Sequence, residues 1–264
     1  GEWLVAEGLA TTGQLKEIDD RVAKRIEAAV EFAEASPLPE ARTANDHVWA
    51  SPVNPPLDYS TSVQPATKTV EQGWLDAVRD GFAEEMRHDP NIIYLGEGIG
   101  ERGGSFAHTK GLWKEFGGQR VIDTPICELG FTGGAVGASA TGNRAVADLM
   151  FIDFLFEAAS QVIQQAAKLR YMSNGQISVP MVVRASMGAI KNAGPHHSGT
   201  YYPIWAHIPG LIVVVPSNPA DAKGLLKTAL RSSDPVIFLE HKLLFGSKCQ
   251  VPVGEHFVPF GQAA

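Results

Sequence analysis

Glu128 stands in the stretch DTPICELGFTGGAVGASATG (123–142), between an apolar strand end and a run of glycines and alanines, with no base beside it. Taking a carboxylate into a low-dielectric site is costly unless it is paired or protonated. Two roles fit such a residue. It is either a buried acid satisfied by backbone N–H groups, or an acid kept protonated so that it can donate a proton. Burial beside Pro125 and Ile126 would raise its pKa, and Gly130, Gly133, Gly134 and Gly137 would let a following helix pack close to a ligand and its sheet. Cys127 has no adjacent base to generate a thiolate and reads as a small buried residue.

Two further stretches carry residue types that do chemistry. GIGERG (98–103) follows a predicted strand, satisfies G-x-G-x-x-G and has an acid, Asp123, downstream. A dinucleotide site needs a helix that opens within those glycines, so that its N-terminus faces the pyrophosphate. Here GSFAHTKG follows, and the first helical turns are expected only near 112–116, so the segment reads as a flexible, Gly-rich surface loop. GPHHSGTYYPIWAH (194–207) supplies three histidines without i, i+4 spacing or added carboxylates, which argues against a metal. A long aromatic loop between two strands does suit one imidazole that handles protons. The plainer alternative is a surface loop with a satisfied histidine.

The elements that must position these residues follow from periodicity. Residues 14–35 read as an amphipathic helix with Leu15, Ile18, Val22, Ile26, Ala29, Val30 and Ala33 on one face, opened by a Thr11/Gln14 capping box and stopped by SPLPE (36–40). From 36 to 68 six prolines among Ser, Thr and Asn mark a linker. Thr69 is expected to cap a helix burying Val70, Trp74, Val78, Phe82 and Met86. Apolar strands then alternate with helices: strands at 91–96, 120–124, 145–151, 179–184, 211–215 and 235–240, helices near 131–141, 155–172 and 219–231. Such alternation implies crossovers and a parallel sheet covered on both faces, so the fold class is α/β.

Composition narrows the functions available. With 22 basic against 29 acidic residues, a net charge of −7 leaves no footprint for nucleic acid or an anionic membrane. No apolar run is long enough for a spanning helix. Two cysteines, Cys127 and Cys249, give no disulfide framework and fit a reducing, cytoplasmic setting. The N-terminus has neither a signal-peptide pattern nor an initiator Met, so the chain is expected to be a piece of something longer.

LGEGIGERGGSF, RVIDTPICELGFTGGAVGASATGNR, AAKLRYMSNGQ, HHSGTYYPIWAHIPGLIVVVPSNPADAKGLL and DPVIFLEHKLL together resemble the β subunit of 2-oxoacid dehydrogenase E1 components, the thiamine-diphosphate enzymes of the pyruvate, branched-chain and acetoin complexes. WLVAEGLATTGQLKEIDDRVAKRIEAAVEFAEASPLPE and HVWA are similar to the end of an E1 α subunit. The resemblance implies an α-like tail at 1–50, a linker at 51–68 and a transketolase-type pyrimidine-binding domain at 69–264, as in an α–β fusion. The C-terminal transketolase-type domain and the α diphosphate-binding domain, with its Mg2+ ligands, are expected to lie outside this piece, which would then be inactive alone.

By the same resemblance Glu128 contacts N1′ of the aminopyrimidine, where a protonated carboxyl favours the imino tautomer. Phe154 stacks on the ring and Met150 lines its pocket. His197 assists acylation of the lipoyl group, Glu97 helps pass protons between active sites, and His196 is assigned nothing. The implied activity is oxidative decarboxylation of a 2-oxoacid with acyl transfer to an E2 lipoyl acyltransferase. An acetoin dehydrogenase E1 and a non-catalytic assembly module are the alternatives. Implied partners are an E1 α-type domain, fused or separate, and a second copy in a homodimer or α2β2-like assembly. Some members also bind K+ through backbone carbonyls.

Overall fold

The computed structural model describes residues 1–59 and 68–262, so part of the expected linker, 60–67, lies outside the described residues. The chain divides into two compact units, Gly1–Asn45 and Asp46–Ala264. In the first, α1 (Glu2–Ala6) precedes α2 (Thr12–Ala35), and the Thr11/Gln14 capping box is present in both directions. No residue of α2 is buried, and Ile18, Val22, Ile26 and Val30 lie exposed along one stripe.

The second unit is built on a six-stranded sheet of order β3-β2-β4-β5-β7-β6, with all neighbours parallel. Its strands are β2 (Ile92–Gly96), β3 (Val121–Asp123), β4 (Arg144–Phe151), β5 (Met181–Met187), β6 (Ile212–Val214) and β7 (Val236–His241). Alternate residues feed opposite cores, which is the period-two logic of a strand covered on both faces. Val236 and Phe238 join Trp74, Phe82, Met86 and Leu226 under α3 (Trp74–His88) and α8 (Pro219–Arg231). Ile237 and Leu239 join Phe131, Ala135, Val162 and Trp205 on the other face, under α5 (Glu128–Ala140). Asn218 caps α8, its side-chain oxygen accepting from the Asp221 N–H at 2.9 Å.

Several local expectations are corrected. Thr69 caps no helix, because Thr69–Gly73 is a strand, β1, paired antiparallel with β8 (Lys248–Pro252) in a small second sheet. Val70 sits opposite Val251, a pairing that sequence periodicity around 70 does not contain, and α3 starts only at Trp74. The expected helix at 155–172 is divided into a 3-10 turn (Ile152–Phe156), a π-helical turn (Gln161–Ala166) and α6 (Leu169–Met172). Its buried positions Ile152, Leu155 and Ala158 are spaced by three, which fits the tighter 3-10 winding. Residues 46–59, within the stretch whose composition marks a linker, belong to the second unit. The Ala50 N–H donates to both oxygens of buried Asp234 at 2.9 Å, and the Phe260 N–H donates to Asn54 Oδ1 at 2.7 Å.

Candidate active site

Connections from β2 lead one way along the sheet, to β3, while β4 lies on the other side of β2. This is a topological switch point, and in open α/β sheets the crevice outside the strand carboxyl ends at such a point is where ligands gather. Glu97 follows the last residue of β2, Met150 lies near the end of β4, and Glu128 opens α5 just beyond β3.

Glu97 is buried, and its Oε1 has no hydrogen-bond partner among the described residues. Burial and the neighbouring Glu128 carboxylate push its pKa up, Asp148 adds to this, and the Cys127 N–H pulls the other way. Glu128 itself is only half-buried at the first position of α5. The apolar burial expected around it is not there: Ile126 is 83% exposed, and Pro125 and Cys127 are exposed too. Residues 124–127 leave an edge strand, and among the described residues nothing buries Pro125, Ile126 or Cys127. Glu97 is thus an acid whose environment favours protonation, with Glu128 as one cause.

The second group is aromatic. Phe154, on the 3-10 turn after β4, meets His197 edge-on, with ring centroids 5.4 Å apart at 89°. Phe151 completes the cluster, 5.8 Å from Phe154 and 4.9 Å from His197, both T-shaped. Phe154 keeps a half-exposed ring. Behind them lies Lys242, buried, with its ammonium 4.6 Å from the centre of the Phe151 ring and donating to the His197 carbonyl. Burial lowers the Lys242 pKa, and Asp153 offsets part of that. Asp153 also accepts from the Gly199 N–H at 3.1 Å, so the loop bearing His197 is tied down from both sides. His196 is exposed.

Between the two groups lies a buried polar network that the sequence reading missed. Asp148 Oδ2 accepts from Tyr94 Oη at 2.7 Å and Arg184 Nη1 at 2.9 Å and lies 2.8 Å from His108 Nε2, while Oδ1 accepts from the Met150 N–H at 2.9 Å. Arg184 Nη2 pairs with Glu240 at 2.5 Å, and Trp74 Nε1 donates to Glu240 at 2.6 Å. Burial would raise the Asp148 pKa, but the His108 ring and the Arg184 guanidinium outweigh it and hold the carboxyl well below its usual range. Burial likewise opposes the charge on Arg184, and Glu240, Tyr94 and Asp148 overcome it. A signal did exist: Asp148 and Arg184 are single charges within or closing apolar strands, and parallel register sets them side by side. Burying such charges is tolerable only when they pair.

The Gly-rich segment is not the surface loop expected. Gly100, Gly103, Gly104, His108 and Thr109 are buried, because His108 reaches inward to Asp148. Gly104 sits at φ +82°, and a Cβ there would lie 2.5 Å from the His108 ring, so the turn requires glycine. Asp123 Oδ1 accepts from the Gly98 N–H at 2.6 Å and is spent on the loop itself, and the next helix is only α4 (Leu112–Phe116). Among the described residues no group of three or more His, Cys, Asp or Glu side chains is arranged to hold a metal.

Residues 71–248 match the transketolase pyrimidine-binding domain model. The chain belongs to that family. It is 45% identical over 213 residues to the pyruvate dehydrogenase E1 β subunit of Rhizobium meliloti, covering 80% of this chain and 45% of that protein. It is 46% identical to the acetoin:2,6-dichlorophenolindophenol oxidoreductase β subunit of Cupriavidus necator and 44% identical to the 2-oxoisovalerate dehydrogenase β subunit of Bacillus subtilis, covering 71% and 72% of this chain and 58% of each of those. The chain thus spans about half the length of the curated relatives it matches. A transketolase variant from Pichia stipitis shares the fold at a TM-score of 0.54 and 17% identity, covering 75% of this chain and 29% of that one. No helix of the described residues is long and apolar enough to cross a membrane.

Proposed function

We propose that this pyrimidine-binding domain supplies the aminopyrimidine half of a thiamine-diphosphate site in a 2-oxoacid dehydrogenase E1 component. Glu128 beside the raised acid Glu97, with the Phe151–Phe154–His197 cluster at the same switch point, is the observation that carries the reading. The residues fit the ring: Glu128 would hold a proton at N1′, Phe154 would stack on its face, and Met150 would line its edge. The cofactor, when bound, supplies the electron sink for decarboxylation. Glu97, whose pKa is pushed up by burial and by the neighbouring Glu128, would return a proton to Glu128 between turnovers. His197, held by Lys242 and by the Asp153-anchored loop, would exchange a proton with the sulfur of an incoming lipoyl group. Phe151 and Phe154 would keep water from that exchange.

The diphosphate and its Mg2+ would be held by an E1 α-type domain, fused or separate, so this piece would be inactive alone. An E2 lipoyl acyltransferase and a second copy of the assembly complete the reading, with K+ as a structural ion where backbone carbonyls allow it. The two unpaired thiols, Cys127 and Cys249, suit a reducing cytoplasm. A second substrate class, acetoin, is favoured by the likeness to the Cupriavidus necator subunit.

The experiment uses the full-length parent protein with its partners. Thiamine-diphosphate-dependent reduction of an artificial electron acceptor is followed with pyruvate, 3-methyl-2-oxobutanoate and acetoin, for wild type and Glu128→Ala. Turnover on one substrate, lost in a variant that melts like wild type, is expected. Silence on all three without cofactor binding would instead favour an assembly module, and a variant that retains turnover would remove Glu128 from the chemistry.

A further inference from the structure

Met150 is a strained point of the site. Its φ is +55°, in the left-handed region that residues with a Cβ rarely adopt, and the β4/β5 register shifts between Asp148 and Phe151 at the same place. Up to Leu149 the strand alternates regularly, with Ala145, Ala147 and Leu149 in one core. The left-handed residue ends that alternation two residues before the 3-10 turn Ile152–Phe156, which carries Phe154.

Such a conformation persists only where its surroundings over-determine it, and strained residues of this kind cluster at ligand sites. Three side chains from three segments grip Met150. Its N–H donates to Asp148 Oδ1 at 2.9 Å, its carbonyl accepts from Ser186 Oγ of β5 at 2.5 Å, and Ser105 Oγ from the Gly-rich loop donates to its Sδ at 2.8 Å. Asp148 is itself fixed by Tyr94, His108 and Arg184, and Ser186 is buried, so two of the three grips come from immobile groups. Core filling alone explains neither the bulge nor a hydroxyl directed at a thioether.

We propose that Ser186 and Ser105 are positioning residues for the pyrimidine site: Ser186 fixes the Met150 peptide and Ser105 its thioether, so that the Met150 side chain is presented to the ring at a set height. This rests on the reading of the site as the pyrimidine half of a thiamine-diphosphate pocket. Each serine acts through Met150, which makes the claim separable from a purely structural role.

The test measures equilibrium binding of Mg2+–thiamine diphosphate by calorimetry to the cofactor-free, full-length assembly, alongside thermal melts. Ser186→Ala removes one hydrogen bond from the clamp and is expected to weaken binding roughly three- to tenfold. Ser105→Ala, on an exposed loop residue, is expected to act in the same direction, and it carries the test if Ser186→Ala does not fold. The deciding measurement is a double-mutant cycle with Met150→Ala, which keeps the left-handed backbone but deletes the side chain. If the serines act through Met150, adding Ser186→Ala or Ser105→Ala to Met150→Ala costs no further affinity, although the melting temperature still falls for Ser186→Ala. Additive losses in affinity, or unchanged affinity in both serine variants, would overturn the positioning role while leaving the cofactor reading intact. Absence of binding by wild type would remove that reading and this proposal together.

Discussion

Replacing Asp148 by Asn tests whether the buried network is a paired charge system or merely a set of close contacts. The carboxylate is fully buried and takes Tyr94, His108 and Arg184 on Oδ2 and the Met150 N–H on Oδ1. An amide has one acceptor oxygen. With that oxygen toward Arg184, the NH2 group faces the Met150 N–H; with the amide flipped, it faces Tyr94 and Arg184. Either orientation sets donor against donor, and the negative charge that balances Arg184 from β4 is gone. Glu240 remains on Arg184 at 2.5 Å, so the guanidinium is not wholly uncompensated. Breaking a buried pair from one side costs about 3–5 kcal/mol. For a unit of about 200 residues, that lowers the melting temperature by roughly 6–20 °C. Thermal unfolding of both proteins by circular dichroism at pH 7, checked by calorimetry for two-state behaviour, reads the difference. The pH dependence has a definite sign. The Asp148 pKa is depressed on folding, so its stabilisation is present above the ordinary value of 3.8 and is lost as pH falls below it. The gap between wild type and variant should therefore narrow on acidification. A loss below about 1 kcal/mol at pH 7, or a gap that widens toward acid, would refute the argument.

Glu97→Gln tests the raised acid: because folding raises the Glu97 pKa above 4.5, ionisation penalises the folded state, and wild-type stability from this group is lost as pH rises through the folded value. The variant should therefore gain on wild type in melts from pH 4 to 8 and match it at the acid end; a variant less stable than wild type at neutral pH would count against the assignment. Gly210→Ala should be strongly destabilising, since Gly210 lies at φ +91° and a Cβ would stand 2.1 Å from the Ala167 carbonyl oxygen. The left-handed conformation alone costs about 1–2 kcal/mol, and the clash with backbone adds to it, so the urea midpoint should drop; an unchanged midpoint would mean the turn can relax.

The α/β class and most strands of the main sheet were legible in the sequence, because local apolar runs separated by helices have few other solutions. Helix α8 was read at its observed bounds, and the capping box of α2 was visible in two residues, since both signals are confined to a few neighbouring positions. Strand β1 was misread because its partner, β8, is some 180 residues away, and nothing local distinguishes Thr69–Gly73 from a helix start. The site shows the same division. Residue type and context were enough to single out Glu128 and a histidine of the 194–207 loop, whereas Glu97, Met150, Phe154 and His197 were named by the family resemblance. The raised pKa of Glu97 was decided by the tertiary structure, because its burial and the nearness of the Glu128 carboxylate are properties of packing. Asp148, Arg184 and Glu240 are separate charges along the chain, and parallel register joins them into one network. The left-handed turn at Met150 is written in no local propensity at all. It exists because Ser186 and Asp148 hold that peptide from two strands, and only the assembled sheet brings them there.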